Sequence, residues 1–299
     1  MARHTIGVIG ATSFVGECLL SLLAKNDTDV IAFSRQERGC GDLNVGDAQQ
    51  IEWRQFSKQA SKNVELESEQ NIEVWFSLAP IWVLADHLPM LKAYGAKRVV
   101  ALSSTSRFTK AVSSNVAEQA LAEHLVSAEE AFITWAEKEQ IAWTILQPTL
   151  IYGLGKDRNI CELVRFIHRF GFYPLCGQSR GLRQPIHVED VAKACYLALN
   201  SDNAINRTYI ISGGEVLTYR EMVGRLFKVM GKRPLFIRVP LFLFRPVISI
   251  LRCFPRFKGW SVAMVERMNK DMAFDHLEAT RDLGFTPRKF QLTKQDLPI

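Results

Sequence analysis

The chain has 299 residues, of which 47% are hydrophobic and 23% charged, and it carries a net charge of +6. That size and balance suit one large globular domain, or one with a smaller lobe. The lack of internal repeats and low-complexity tracts excludes solenoid and disordered readings.

The charge is unevenly placed. Residues 1–150 hold 13 basic and 18 acidic groups, whereas residues 151–260 hold 18 and 7. A basic excess in the second half predicts an anionic partner there. The six cysteines (Cys18, Cys40, Cys161, Cys176, Cys195, Cys253) form neither a CxxC pair nor a cluster with histidine. Buried thiols in a reducing compartment are therefore expected, with neither a disulfide framework nor a metal site. The first apolar run, Ile6–Ile9, is too short for a signal-peptide core, so a cytoplasmic protein is expected.

In chain order, Thr5–Gly10 reads as a strand entering glycine, and Phe14–Lys25 has helical spacing of Val15, Leu19, Leu22 and Leu23. Val30–Phe33, Ile51–Phe56 and Glu73–Leu78 read as the next strands. A helix is predicted from there to Tyr94, then a strand at Arg98–Leu102, a long helix at Val116–Glu139 and a strand at Trp143–Leu146. Strands alternating with helices of this length imply a parallel sheet covered on both faces. The second half is less regular. It reads as a helix at Ile160–Phe170, a strand-like return at Gln184–Val188, a helix at Glu189–Asn200, a strand at Tyr209–Ser212, and a helical pattern from Thr218. The predicted class is an α/β, doubly wound parallel-sheet Rossmann fold with a small, mainly helical C-terminal lobe. Residues 1–155 and 184–214 form the expected core, and 156–183 and 215–299 the lobe.

The first strand–helix junction carries the clearest chemistry. Gly10 permits a tight turn, and Gly16 lets helix and strand approach closely. Thr12, Ser13, Phe14 and Val15 lie between them, where the opening of a helix points free N–H groups and a positive dipole at a pyrophosphate. Ser13 stands where the middle glycine of such turns is usual. An NAD site places a carboxylate at the end of the second strand; here stand Ser34 and Arg35, which suit a 2′-phosphate. NADP(H) is the favoured cofactor, and the nearby Glu37 keeps NAD(H) as the alternative.

Five phrases recur together. They are Gly-Ala-Thr-Ser-Phe-Val-Gly at 10–16, Val-Val-Ala-Leu-Ser-Ser-Thr at 99–105, Trp-Thr-Ile-Leu-Gln-Pro-Thr-Leu-Ile-Tyr-Gly at 143–153, Pro-Ile-His-Val-Glu-Asp-Val-Ala at 185–192, and Ser-Gly-Gly-Glu-Val-Leu-Thr-Tyr-Arg-Glu-Met at 212–222. As a set spanning nearly the whole chain, they resemble the extended and atypical short-chain dehydrogenase/reductases, the NAD(P)-dependent epimerase/dehydratase family. The resemblance implies a Rossmann core with a substrate lobe, hydride-transfer chemistry, and substrates such as nucleotide sugars. It also implies that Leu78, Ala79 and Pro80 line the nicotinamide side of the cofactor groove. Ser103 and Ser104 would follow the fifth strand, Thr105 would hold the catalytic Ser/Thr position, and Pro148 and Thr149 would lie near the nicotinamide. Gln147 stands where an Arg is usual, and His187 would begin the return of the chain toward the substrate cleft.

The family's Tyr and Lys, four residues apart on the long helix, are missing. Counting back from Trp143 places His124 at the Tyr position and Ala128 at the Lys position. The chain's Tyr-x-x-x-Lys, Tyr152 to Lys156, contains Gly153 and Gly155 and is not expected to form the helix that would align the two side chains. Imidazole titrates near neutrality, so His124 is one candidate proton-transfer group. Lys110, which follows the fifth strand, is another, and Thr105 completes the catalytic candidates.

Residues 234–254 are apolar but interrupted by Arg238, Arg245 and Arg252, which argues against a membrane span. A lobe helix covering the substrate cleft is the first expectation. A helix resting on an anionic membrane through 240–256 is the second. No nucleic-acid partner is expected, because no recognised module is present. The sequence therefore predicts an NAD(P)-dependent oxidoreductase or epimerase/dehydratase acting on an anionic small molecule such as a nucleotide sugar. The alternative is an NADP(H)-binding sensor or assembly protein without turnover.

Overall fold

The computed structural model describes residues 5–26, 28–35, 51–55, 71–239 and 262–298. Its centre is a seven-stranded, wholly parallel sheet. In chain order the strands of the first half are β1 (Ile6–Ile9), β2 (Val30–Ser34), β3 (Ile51–Gln55), β4 (Val74–Ser77), β5 (Arg98–Leu102) and β6 (Ala142–Pro148). Their helices are α1 (Phe14–Lys25), α2 (Ile81–Ala85), α3 (Leu88–Ala93), α4 (Ser106–Thr109) and α5 (Val116–Lys138). The chain continues through β7 (Ile151–Tyr152), α6 (Arg158–Phe170), β8 (Tyr173–Cys176), β9 (Leu182–Arg183), β10 (Ile186–His187), α7 (Val188–Leu199), β11 (Arg207–Ile211), β12 (Leu217–Thr218), α8 (Tyr219–Val229), β13 (Phe236–Val239), α9 (Val262–Asn269) and α10 (Leu277–Leu283).

The sheet runs in the order β11-β6-β5-β4-β1-β2-β3, so the winding reverses between β1 and β4. Ile9 at the end of β1 is in register with Phe33 of β2 and with Ser77 of β4. In such a sheet, ligands bind outside the carboxyl ends of the strands at this reversal.

Both sheet faces are covered, which is why the strands read as continuous apolar runs. Alternate residues divide between two cores. Val8, Val100, Leu102 and Leu146 pack with Leu19 and Leu20 of α1 and Val191 and Cys195 of α7. Ile9, Val99, Ala101, Trp143 and Ile145 pack with Ile81, Leu91, Leu125 and Phe132 on the opposite side. A period of two along each strand thus feeds two helical layers.

The helix expected to run to Tyr94 is two helices. The break falls at Asp86-His87, and Pro89, lacking an N–H, lies in the first turn of α3. The short helix α4 was not in the sequence reading; the other first-half elements agree with it to within a few residues.

A third core forms the lobe, where Ile160, Val164 and Ile167 of α6 meet Met222, Leu226 and Phe227 of α8. Asp157 caps α6 by accepting from the Ile160 N–H at 2.7 Å, and Gly171 ends the helix at φ 74°. A capping box between Thr218 and Glu221 opens α8. The lobe also holds short strand pairs that the sequence did not signal: β8 with β13, parallel, and β9 with β12, antiparallel. With two residues each, β9 and β12 are too short to show a period. Residues 240–261, which contain most of the Arg-interrupted apolar stretch, lie outside the described residues. Among the described residues, no helix is long and apolar enough to cross a membrane.

Candidate functional site

The glycine turn sits at the sheet reversal. Gly10 adopts φ 78°, and a Cβ there would lie 2.5 Å from the Ala79 nitrogen and 2.8 Å from the Leu78 carbonyl carbon. The Leu78 N–H donates to the Ile9 carbonyl at 2.8 Å, which locks the ends of β1 and β4 together. A Cβ on Gly16 would meet the Gly10 and Ala11 carbonyl oxygens at 2.5 Å. Both glycines are therefore required by space, and Gly10 by dihedral as well.

Ser13 is the N-cap of α1. Its hydroxyl accepts from the Gly16 N–H at 3.0 Å, and its own N–H donates to the Gly10 carbonyl at 3.0 Å. The Phe14 and Val15 amides open the helix with no carbonyl one turn back to receive them. Together with the half-buried Thr12, they make a turn that could cradle a diphosphate. Ser13 thus replaces a glycine and also fixes the turn with its side chain.

On the β2 side, Ser34 is buried and Arg35 exposed, with the Arg35 carbonyl accepting from Gln55 Nε2 at 3.2 Å. The guanidinium stands at the carboxyl end of a strand adjoining the turn. Glu37 lies outside the described residues. On the β4 side, Leu78 is buried, Ala79 half-buried and Pro80 exposed. The Ser77 hydroxyl just before them is buried without a hydrogen-bond partner among the described residues.

The ends of β5 and β6 are tied through α5. The Glu129 carboxylate, 2% exposed on the sheet-facing side of that helix, accepts from the Ser103 hydroxyl and from Gln147 Nε2, the latter at 3.0 Å to each oxygen. Arg107 of α4 forms an ion pair with the same carboxylate. A buried charge is tolerated when it is paired and fully hydrogen-bonded, and Glu129 meets that condition. The sequence reading passed over Glu129. Its one available signal was a carboxylate in register with the buried Leu125, Ala128, Phe132 and Ala136 on α5.

Thr105 is buried, and both its N–H and its hydroxyl point at the Pro148 carbonyl, at 3.1 and 3.0 Å. The structure thus brings together Thr105, Ser103 and Pro148. His124 lies elsewhere, exposed on α5 and stacked on Trp82 of α2 with ring centroids 5.0 Å apart. Ala128 faces the core.

Lys110 follows α4 and is half-buried. Burial pushes its ammonium below the ordinary 10.5; Glu118 acts against that shift, and Arg267 and Arg158 add to it. These groups come from four elements: the end of α4, the start of α5, α9 and the start of α6. Glu118 is ion-paired with Arg267 and accepts from the Ser113 hydroxyl at 2.7 Å. Burial raises the Glu118 carboxyl, but those partners outweigh it and hold the group below its usual range. The buried Arg183 guanidinium donates to the Arg267 and Lys270 carbonyls, which fixes the end of α9.

Tyr152 and Lys156 do not form a pair. Tyr152 is buried in β7 with its hydroxyl donating to the Gln291 carbonyl at 3.4 Å, while Lys156 pairs with Glu17 of α1. His187 caps α7 and contacts Asp296 at 3.3 Å, which joins the returning chain to the C-terminal segment. Among the described residues, no group of three His, Cys, Asp or Glu side chains is placed to hold a metal.

Residues 5–135 match the sequence model of the semialdehyde dehydrogenase NAD-binding domain, and residues 85–212 that of the NAD dependent epimerase/dehydratase family. The NADH-ubiquinone oxidoreductase 40 kDa mitochondrial subunit of Neurospora crassa is 25% identical, over 96% of this chain and 76% of its own. UDP-glucose 4-epimerase of Vibrio cholerae is 21% identical, over 54% of this chain and 46% of its own. The crystal structure of UDP-glucuronic acid 4-epimerase from Bacillus cereus, in complex with UDP-glucuronic acid and NAD, superposes with a TM-score of 0.70 at 17% identity. That match covers 98% of this chain and 96% of the other, and it shows the shared fold. Taken together, the matches and the glycine cradle identify a pyridine-nucleotide-binding fold of the oxidoreductase/epimerase kind.

Proposed function

We propose that this chain is one of the atypical and extended short-chain dehydrogenase/reductases of the NAD-dependent epimerase/dehydratase kind, and that it uses NADP(H) for hydride transfer on an anionic small molecule such as a nucleotide sugar. When bound, the dinucleotide supplies the hydride donor or acceptor. The chain's residues supply the rest. The Phe14 and Val15 amides hold the diphosphate, Arg35 and Ser34 receive the 2′-phosphate, and Leu78, Ala79 and Pro148 border the nicotinamide side.

One observation carries the enzymatic reading. Lys110, half-buried in the segment that follows β5, has its ammonium pKa lowered by burial and by the positive charges of Arg267 and Arg158. A lysine with a lowered pKa suits proton transfer to or from a substrate oxygen. In this reading Lys110 moves the proton. Thr105 keeps an acceptor lone pair and orients the reacting oxygen. Replacing Lys110 with Ala should abolish NADPH-dependent turnover while leaving NADPH binding intact. Unchanged turnover removes Lys110 from the site.

A different observation favours a second reading. The sheet-facing side of α5 offers Glu129 as its ionisable group, and Glu129 is wholly engaged with Ser103, Arg107 and Gln147. A dinucleotide-binding subunit or sensor without turnover needs no proton-transfer group there, and the Neurospora crassa relative is itself a subunit of a larger oxidoreductase. Cofactor binding measured beside turnover, with a panel of nucleotide sugars, separates the two readings.

A further inference from the structure

The lobe carries a surface for which the cofactor site has no use. The end of α6 and the approach to β13 lie side by side: the Tyr173 N–H donates to the Leu235 carbonyl at 2.9 Å, and β8 pairs with β13 in register from Tyr173 with Phe236. Lys232 Nζ donates to the Ile167 and His168 carbonyls at 3.4 and 3.2 Å, which joins the two segments again. Residues 165–174 and 228–239 thus lie side by side, and their exposed side chains are neighbours on the lobe surface.

Its composition is one-sided. The two segments hold six Lys or Arg (Arg165, Arg169, Lys228, Lys232, Arg233, Arg238) and no Asp or Glu. All but Lys232 are exposed, and none of the six has an ion-pair partner among the described residues. Large apolar side chains stand among these cations: Phe170 is 40% exposed, Leu235 56% and Ile237 46%. Arg169 lies over the Phe170 ring, 5.3 Å from its centroid. Beside them is a cavity of about 590 Å³ bordered by Arg225, Lys228, Lys232 and Arg233 and also by Glu221, whose carboxylate accepts from the Thr218 N–H and hydroxyl. Arg225 is already engaged by Glu215, whereas Lys228 and Arg233 are available to an incoming anion.

A soluble surface with this much charge needs no exposed Leu, Ile and Phe, and a site for a free anion needs none either. Apolar groups set among unpaired cations match an anionic bilayer. Its acyl region takes the apolar side chains, and its phosphates take the ammonium and guanidinium groups. We propose that this face docks on an anionic lipid membrane, with a lipid phosphate seated between Lys228 and Arg233. The proposal is independent of the cofactor reading.

The test is co-sedimentation of the full chain with phosphatidylcholine vesicles, with and without phosphatidylglycerol, at low and high salt. The chain should sediment with the anionic vesicles alone and be released by salt. The double variant Lys228→Glu/Arg233→Glu should bind at least about tenfold more weakly, since each basic residue near such a surface contributes roughly fivefold. Leu235→Ser with Phe170→Ser should weaken binding while leaving the charge unchanged. Arg169→Glu, on a different element, reads out the same face if the double variant does not fold, as judged by circular dichroism. Failure of the wild-type chain to sediment with anionic vesicles overturns the proposal. So does equal binding to neutral vesicles, unchanged binding by these variants, or equally tight retention of a duplex DNA that the same substitutions abolish.

Discussion

The amide nitrogen of Gln147 donates to both oxygens of the Glu129 carboxylate, at 3.0 Å to each, where β6 meets the side of α5. With Ser103 and Arg107 as the further partners, one carboxylate binds the ends of two sheet strands and a following helix into one unit. The floor of the site therefore rests on a polar contact inside an otherwise apolar layer. Replacing Glu129 with Ala should cost about 2–4 kcal/mol, near the lower end for breaking a buried pair because Arg107 keeps some contact with water. Urea midpoints measure this, and a loss below about 1 kcal/mol would show that the carboxylate is not central to the packing.

Gly10 should tolerate no side chain. Alanine there combines φ 78° with a backbone atom 2.5 Å from its Cβ, so stability should fall by about 1–3 kcal/mol and dinucleotide affinity should fall with it. Thermal melts with and without NADPH give both quantities. A Gly10→Ala chain that binds NADPH normally contradicts the cradle.

Arg35 should set the cofactor preference. Arg35→Ala removes a charge-assisted contact and should weaken NADPH about ten- to a hundredfold while sparing NADH. Equal losses for both dinucleotides would place the guanidinium away from the 2′-phosphate.

Two groups give pH dependence of stated sign. Lys110 has a folded pKa below its ordinary 10.5, so between those two values the unfolded chain binds more protons and stability rises with pH. Lys110→Met should remove that rise. Burial would raise Asp296, but hydrogen bonds from His187, Thr293 and the Leu154 N–H hold its carboxyl well below 3.8. Its contribution is present above about pH 4 and is lost as the pH falls from there. Asp296→Asn should flatten the acid limb of the stability curve, and an unchanged limb would exclude the group.

Strands such as Arg98–Leu102 and the helix from Phe14 were legible because burial on both faces and a helical apolar stripe leave direct marks on the sequence. The tight turn at Gly10 and Gly16 was legible for a similar reason, since close backbone approach admits few residue types. The break at Asp86-His87 was masked by apolar residues on both sides of it. Glu129 was passed over because a lone acid in a charged helix looks like a solvated one until its burial is seen. Lys110 could be listed from its place after β5, but its half-burial and the influence of Arg267 and Arg158 on its charge depend on segments far apart in sequence.

The most direct measurement of the central claim is calorimetric titration of the folded chain with NADPH and then NADH. The account predicts saturable binding of NADPH, tighter than NADH, that Gly10→Ala abolishes. Absence of any association with either dinucleotide up to millimolar concentration would contradict it.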